Sequence, residues 1–137
     1  MSYLLDTNVF SEMRKGRNCH PAVKSWWSGV SDVELHLSVL VLGEIRRGIC
    51  KVQERDTKRA RQYEAWLQTA MQYFAGRILM VDSRVADHWG RITAGRSLPL
   101  VDSMLAATAL SHNLILVTRN TKDISDTGAQ FLNPFKD

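Results

Sequence analysis

Three acidic residues stand at places where a carboxylate is costly or well aimed. Asp102 lies near the start of Leu98–Leu110, which reads as the beginning and body of a helix. Pro99 suits a first turn, where no backbone N–H is needed. Leu105, Ala106, Ala109 and Leu110 follow at helical spacing. Nearly every other position is small or apolar, which marks a buried helix. A carboxylate on the side of Leu105, Ala106 and Ala109 is costly to keep ionised without a partner. Asp102 therefore caps the helix, pairs with a distant cation such as Arg96 or Arg119, or binds a metal. Asp6 closes the apolar run Tyr3-Leu4-Leu5 and opens the polar turn Asp6-Thr7-Asn8. That is the carboxyl end of a strand, where open α/β sheets bind ligands. It is equally a place for a helix cap. Glu44 interrupts the apolar first half of a helix over Val39–Ile49, just behind another strand end. Taken alone it pairs with Arg46 or Arg47 on a solvated face.

If these three carboxylates converge, their mutual repulsion raises one or more of their pKa values. A divalent cation removes the conflict. Mg²⁺ takes hard oxygen ligands, keeps several waters, and is commonly held by one or two carboxylates plus a substrate phosphate. Mn²⁺ accepts similar ligands. No His or Cys cluster offers a zinc site: His36 has no second His at a ligating offset, and Cys19 and Cys50 have no ligand spacing. A cation on acids of this kind serves phosphodiester hydrolysis, with nearby Arg and Lys compensating the remaining charge.

The elements that must position the acids follow from patterning. Strands are expected at Tyr3–Leu5, Leu35–Leu37, Arg77–Val81, Leu114–Val117 and Phe131–Leu132, with helices between them. Arg77–Val81 is so uniformly apolar that both its faces are expected to be covered. Pro21 starts a helix whose Val23, Trp26 and Trp27 pack into the core rather than serving as a base-stacking platform. The charged segment Lys51–Arg61 leads into an amphipathic helix bearing Ala60, Tyr63, Trp66, Leu67, Ala70, Met71 and Phe74 on one side. Strands alternating with helices predict a three-layer α/β sandwich around a mainly parallel sheet of about 4–5 strands. Right-handed crossovers then bring Asp6, Glu44, Asp102 and the cluster Thr118–Asp123 to one edge of the sheet.

The 137 residues suffice for one domain over 1–137, and the net charge of +4 is compatible with a nucleic-acid or acidic-protein partner. No apolar run is long enough to span a membrane, no signal peptide is expected, and two cysteines make no disulfide framework. A reducing cytoplasm is the expected compartment.

Leu4-Leu5-Asp6-Thr7-Asn8, the Ser38…Gly43-Glu44 helix, Val101-Asp102…Leu105-Ala106-Ala107-Thr108-Ala109 and Val117-Thr118-Arg119-Asn120 occur in the order and spacing of a PIN domain. Over essentially its whole length the sequence resembles VapC-type toxins of type II toxin–antitoxin pairs, in the FitB-like branch. The resemblance implies a Mg²⁺-dependent endoribonuclease, with Mn²⁺ as a substitute, acting on structured RNA. It implies inhibition by a VapB/FitA-type antitoxin, contact with DNA only through that antitoxin, and a homodimer. Asp6 and Asp102 match the family's metal ligands, and Glu44 a ligand or a positioner of the attacking water. Thr7 and Thr118 are then hydroxyls that orient the carboxylates. The family often has a fourth acid where this chain has Asn120. Asn120 can hold a water or a metal without charge, and Asp123 either substitutes for the missing acid or is a turn residue.

Two rivals set the terms of the test. A phospho-acceptor domain would use Asp6 as nucleophile, but such sites usually want a second Asp where Asn8 stands. A non-cleaving subunit would only tighten a DNA-binding partner's grip. No base-reading helix-turn-helix or ribbon is visible, so that partner would have to read the sequence.

Overall fold

Short apolar strands joined through capped helices can pair in parallel only by crossovers. The computed structural model describes residues 1–136. Its elements run β1 (Tyr3–Leu5), α1 (Thr7–Met13), α2 (Pro21–Ser28), β2 (Leu35–Ser38), α3 (Val39–Gln53), α4 (Thr57–Tyr73), β3 (Ile78–Leu79), α5 (Ser83–Thr93), α6 (Leu100–His112), β4 (Ile115–Val117) and β5 (Phe131–Leu132). The five strands form one sheet in the order β3-β2-β1-β4-β5, every neighbouring pair parallel. Leu4 of β1 sits between His36 and Leu116, so β1 is the middle strand.

The chain steps from β1 to β2 to β3 in one direction, then crosses back to β4 and β5 on the other side of β1. Right-handed crossovers therefore put α1–α4 on one face and α5–α6 on the other. Packing agrees: α3 touches α1 and α4, while α5 packs on α6, and α6 on β1 and β4. Leu4, Leu5, Leu37, Leu105 and Leu116 fill the core between these layers. The reversal of strand order at β1 and β4 opens a crevice beyond their carboxyl ends, the usual ligand position in such sheets.

Three expectations are corrected. The strand over Arg77–Val81 shrinks to Ile78–Leu79, and it stands at the edge of the sheet, with both residues half-buried against the core. Met80 is 66% exposed and Val81 37%, because the chain leaves the sheet after Leu79. Apolarity alone does not distinguish a central strand from an edge strand whose inner face meets a helix. The charged segment Lys51–Arg61 is also divided. Lys51 lies in the last turn of α3, which ends at Gln53, and Asp56 caps a separate α4 by accepting from the Arg59 N–H at 3.0 Å. Met71 falls off the α4 stripe and is exposed. Trp26 packs edge-on against Tyr3, with ring centroids 5.3 Å apart, as core packing requires.

The buried helix α6 ends at Asn113, held at φ 54°, whose N–H closes the last turn onto Ala109 and Leu110 carbonyls. Asn tolerates this left-handed conformation and alanine does not. Asn113→Ala is expected to cost about 1 kcal/mol in urea unfolding, and Asn113→Gly to leave stability unchanged.

Candidate active site

Asp6 is both a helix cap and a buried carboxylate. Its Oδ1 accepts from the Val9 N–H at 2.8 Å and so starts α1. Its Oδ2 accepts from the Thr118 hydroxyl at 2.5 Å. The Asp6 N–H in turn donates to the Val117 carbonyl at 3.0 Å, locking the ends of β1 and β4 together. Only 5% of Asp6 is exposed. Thr118 Oγ1 also accepts from the Asn120 N–H at 3.1 Å. The Asn120 side-chain amide donates twice, to Asp102 Oδ2 at 2.9 Å and to Asp123 Oδ2 at 2.7 Å. On the opposite wall the Thr7 hydroxyl donates to Glu44 Oε1. Asp6, Glu44 and Asp102 line one cavity of about 280 Å³, together with Thr7, Asn8, Arg47 and Leu105.

The ion-pair readings of Asp102 and Glu44 do not hold, while Asp102 does stand in the first turn of α6. Arg96 pairs with Asp126, and the Arg119 guanidinium lies 3.7 Å over the Phe135 ring, so neither cation serves Asp102. Arg46 pairs with Glu64 rather than Glu44. Arg47 borders the cavity as an exposed cation, three residues from Glu44 on α3. From the sequence, Arg47 is visible as a partner for Glu44. Its spacing from Glu44 was the available signal, because residues three apart share a helix face. Asp123 enters the network through the second N–H of Asn120, which no spacing rule announces.

Electrostatics follow the geometry. Burial pushes the Asp6 carboxyl above its ordinary value. The Thr118 and Val9 hydrogen bonds oppose this, and the nearby Asp102 and Glu44 charges add to it. Burial likewise raises Asp102, against the Asn120 hydrogen bond, with Asp123 and Glu44 contributing repulsion. The folded site therefore disfavours its own negative charge, which a bound cation relieves. Among the described residues, no three His, Cys, Asp or Glu side chains close into a ready-made metal cage. The acids share a cavity as an open, all-oxygen set. This donor chemistry fits Mg²⁺ or Mn²⁺, which retain waters and take substrate oxygens, better than zinc.

The PIN domain pattern matches residues 3–129. The chain belongs to the PIN domain family. It is 31% identical to Toxin FitB of Neisseria gonorrhoeae, over 98% of this chain and 99% of FitB. It is 29% identical to VapC ribonuclease Y4jK of Sinorhizobium fredii, over 97% of each. These full-length similarities place it among the VapC-type members. The crystal structure of FitAcB from Neisseria gonorrhoeae superimposes with a TM-score of 0.86 at 30% identity, covering 98% of this chain and 99% of that one. FitAB bound to an IR36 DNA fragment gives 0.85 at 29% identity, over 98% and 96%. Among the described residues of this PIN domain, no helix is long and apolar enough to cross a membrane.

Thr118 makes the sharpest test of how the carboxylates are held. Thr118→Val keeps the shape but removes a donor to Asp6 and the acceptor of the Asn120 N–H. Losing such an orienting contact typically weakens metal binding about 10–100-fold. Isothermal titration with Mn²⁺ should show that loss with the fold intact by circular dichroism.

Proposed function

We propose that this PIN domain is the toxin of a type II toxin–antitoxin pair and an endoribonuclease that hydrolyses RNA phosphodiesters with Mg²⁺, or Mn²⁺ in its place. One observation carries the reading: Asp6 from the end of β1, Glu44 from α3 and Asp102 from α6 border a single cavity at the strand-order switch. Asp6 and Asp102 would hold the cation, and Glu44 would hold it or position the attacking water. The cation supplies charge neutralisation and a more acidic water for in-line attack. Thr118, Asn120 and Thr7 keep the three carboxylates aimed, and Arg47 faces the phosphate's remaining charge. The name of the relative Y4jK as a ribonuclease supports RNA as substrate.

The partner reading draws on a second, aromatic groove. Phe10, Met13, Trp27, Trp66, Ala70 and Phe74 line about 200 Å³ between α1, α2 and α4. A helix of a VapB/FitA-type antitoxin would seat there and reach DNA on the toxin's behalf. The free cysteines Cys19 and Cys50 suit a reducing cytoplasm, where RNA is at hand. A homodimer would lengthen the cationic surface available to RNA.

The deciding assay is cleavage of structured RNA by the purified chain with Mg²⁺ and with EDTA. Metal-dependent cutting is expected, and coexpression with an adjacent small reading frame should give an inactive complex. A chain that never cuts RNA would instead favour a non-cleaving subunit of a DNA-binding complex, the reading that the DNA-bound FitAB structure supports.

A further inference from the structure

A separate slot adjoins the acidic cavity and shares two of its walls, Thr7 and Glu44. Beyond them it is lined by Ile45, Ile49, Val52, Tyr63 and Trp66, with Ser11 and Arg14 at its polar margin. Its volume is about 270 Å³. Pockets that take a whole small molecule run from roughly 300 Å³ upward, so this one suits a single ring system. Arg14 stacks on the Tyr63 ring at 4.6 Å, and Arg59 approaches the same ring at 5.5 Å while bonding its hydroxyl. Neither arginine pairs with a carboxylate among the described residues. An apolar slot with an aromatic wall and an uncompensated cationic margin matches a base flanked by phosphates.

Gly48 adds an independent observation. It lies one turn after Glu44 on α3, and it forms part of the slot's wall. A Cβ placed there would meet no atom within 4 Å. Glycine inside a helix costs roughly 0.5–1 kcal/mol against alanine. Packing does not demand that cost here, and open backbone beside a cavity admits a flat ligand. An apolar protein side chain is the competing occupant. The groove lined by Phe10, Trp27 and Phe74 is the more uniformly apolar of the two and lacks the acids as a neighbour.

We infer that this slot is a nucleobase subsite, which receives the base next to the scissile phosphate and sets nucleotide preference. The inference rests on the ribonuclease reading for its register, since a cation on the acids would bind the adjoining phosphate. Gly48→Leu fills the slot and improves helix propensity; because it packs beside Glu44, titration with Mn²⁺ checks that the acids of the variant still bind the cation. Fluorescence anisotropy on the wild-type chain with Mg²⁺ compares short single-base RNA oligomers, made uncleavable by 2′-O-methyl groups, with an abasic oligomer of equal length. At least one base should bind about tenfold tighter than the abasic chain. Gly48→Leu should erase that difference while leaving abasic affinity unchanged, with folding checked by circular dichroism. No preference for bases, or a preference that survives Gly48→Leu, overturns the subsite. So does a Gly48→Leu protein that loses its protein partner but keeps base discrimination. Cleavage of unmodified RNA by the same chain is scored separately. Base discrimination without cleavage sinks the nuclease reading alone, and cleavage without base discrimination sinks the subsite alone.

Discussion

Asp6→Asn is expected to lower Mg²⁺-dependent RNA cleavage by about 10²–10³-fold or more while leaving the fold in place. The size follows from the role. Metal-assisted charge stabilisation is worth several kcal/mol, and each 1.36 kcal/mol is tenfold in rate. Asparagine has the shape of aspartate and is as good a helix cap, so the Val9 contact that starts α1 survives. The carboxylate charge disappears, and with it the oxygen that accepts from the Thr118 hydroxyl. Asp102→Asn should behave alike, and the double variant should be little worse than either single one, because residues acting as one unit are not additive. Single-turnover kinetics at saturating RNA separates this loss from weaker binding. A cleavage rate within a few-fold of wild type would remove Asp6 from the chemistry.

The fold was readable because its signals are short-range. Caps at Asp6, Ser38 and Asp82 mark where helices begin, and each accepts the expected backbone N–H. What misled is tertiary in origin. Ile78-Leu79-Met80-Val81 has the composition of a central strand, yet strand order is decided by which crossover reverses, and this run ends at the edge. The split of Lys51–Arg61 turns on Asp56, whose capping bond is indistinguishable in sequence from any other acid in a charged run. At the site, the meeting of Asp6, Glu44 and Asp102 in one crevice could be argued from topology, since each lies near a strand end or helix start on the same edge. The details of how they are held could not. The bond from Thr118 to Asp6 spans 112 residues, and the amide of Asn120 chooses Asp102 and Asp123 together. Both depend on side-chain positions that no periodicity encodes.

The second large effect is on stability. Asp6 and Asp102 are both raised above their ordinary value, chiefly by burial, so the metal-free native state holds their protons more tightly than the unfolded chain does. Their contribution is therefore full below the unfolded carboxylate pKa of 3.8 and is lost as pH rises through the raised folded values. A cation needs the ionised carboxylates, so its binding runs the other way and strengthens across the same window. Saturating Mg²⁺ at a hundredfold excess over its Kd stabilises by about 2.7 kcal/mol. The rise in Tm on adding Mg²⁺ should thus be larger at neutral than at mildly acidic pH. In EDTA at neutral pH, Asp6→Asn should unfold at or above the wild-type temperature, because a neutral amide avoids the cost of burying a charge and, to a lesser degree, the repulsion from Asp102 and Glu44. The same variant should lose most of the response to Mg²⁺. Differential scanning calorimetry with and without Mg²⁺ at two pH values reads all of this. If metal-free Asp6→Asn melts well below wild type, the carboxylate is a structural anion rather than a charge held ready for a cation.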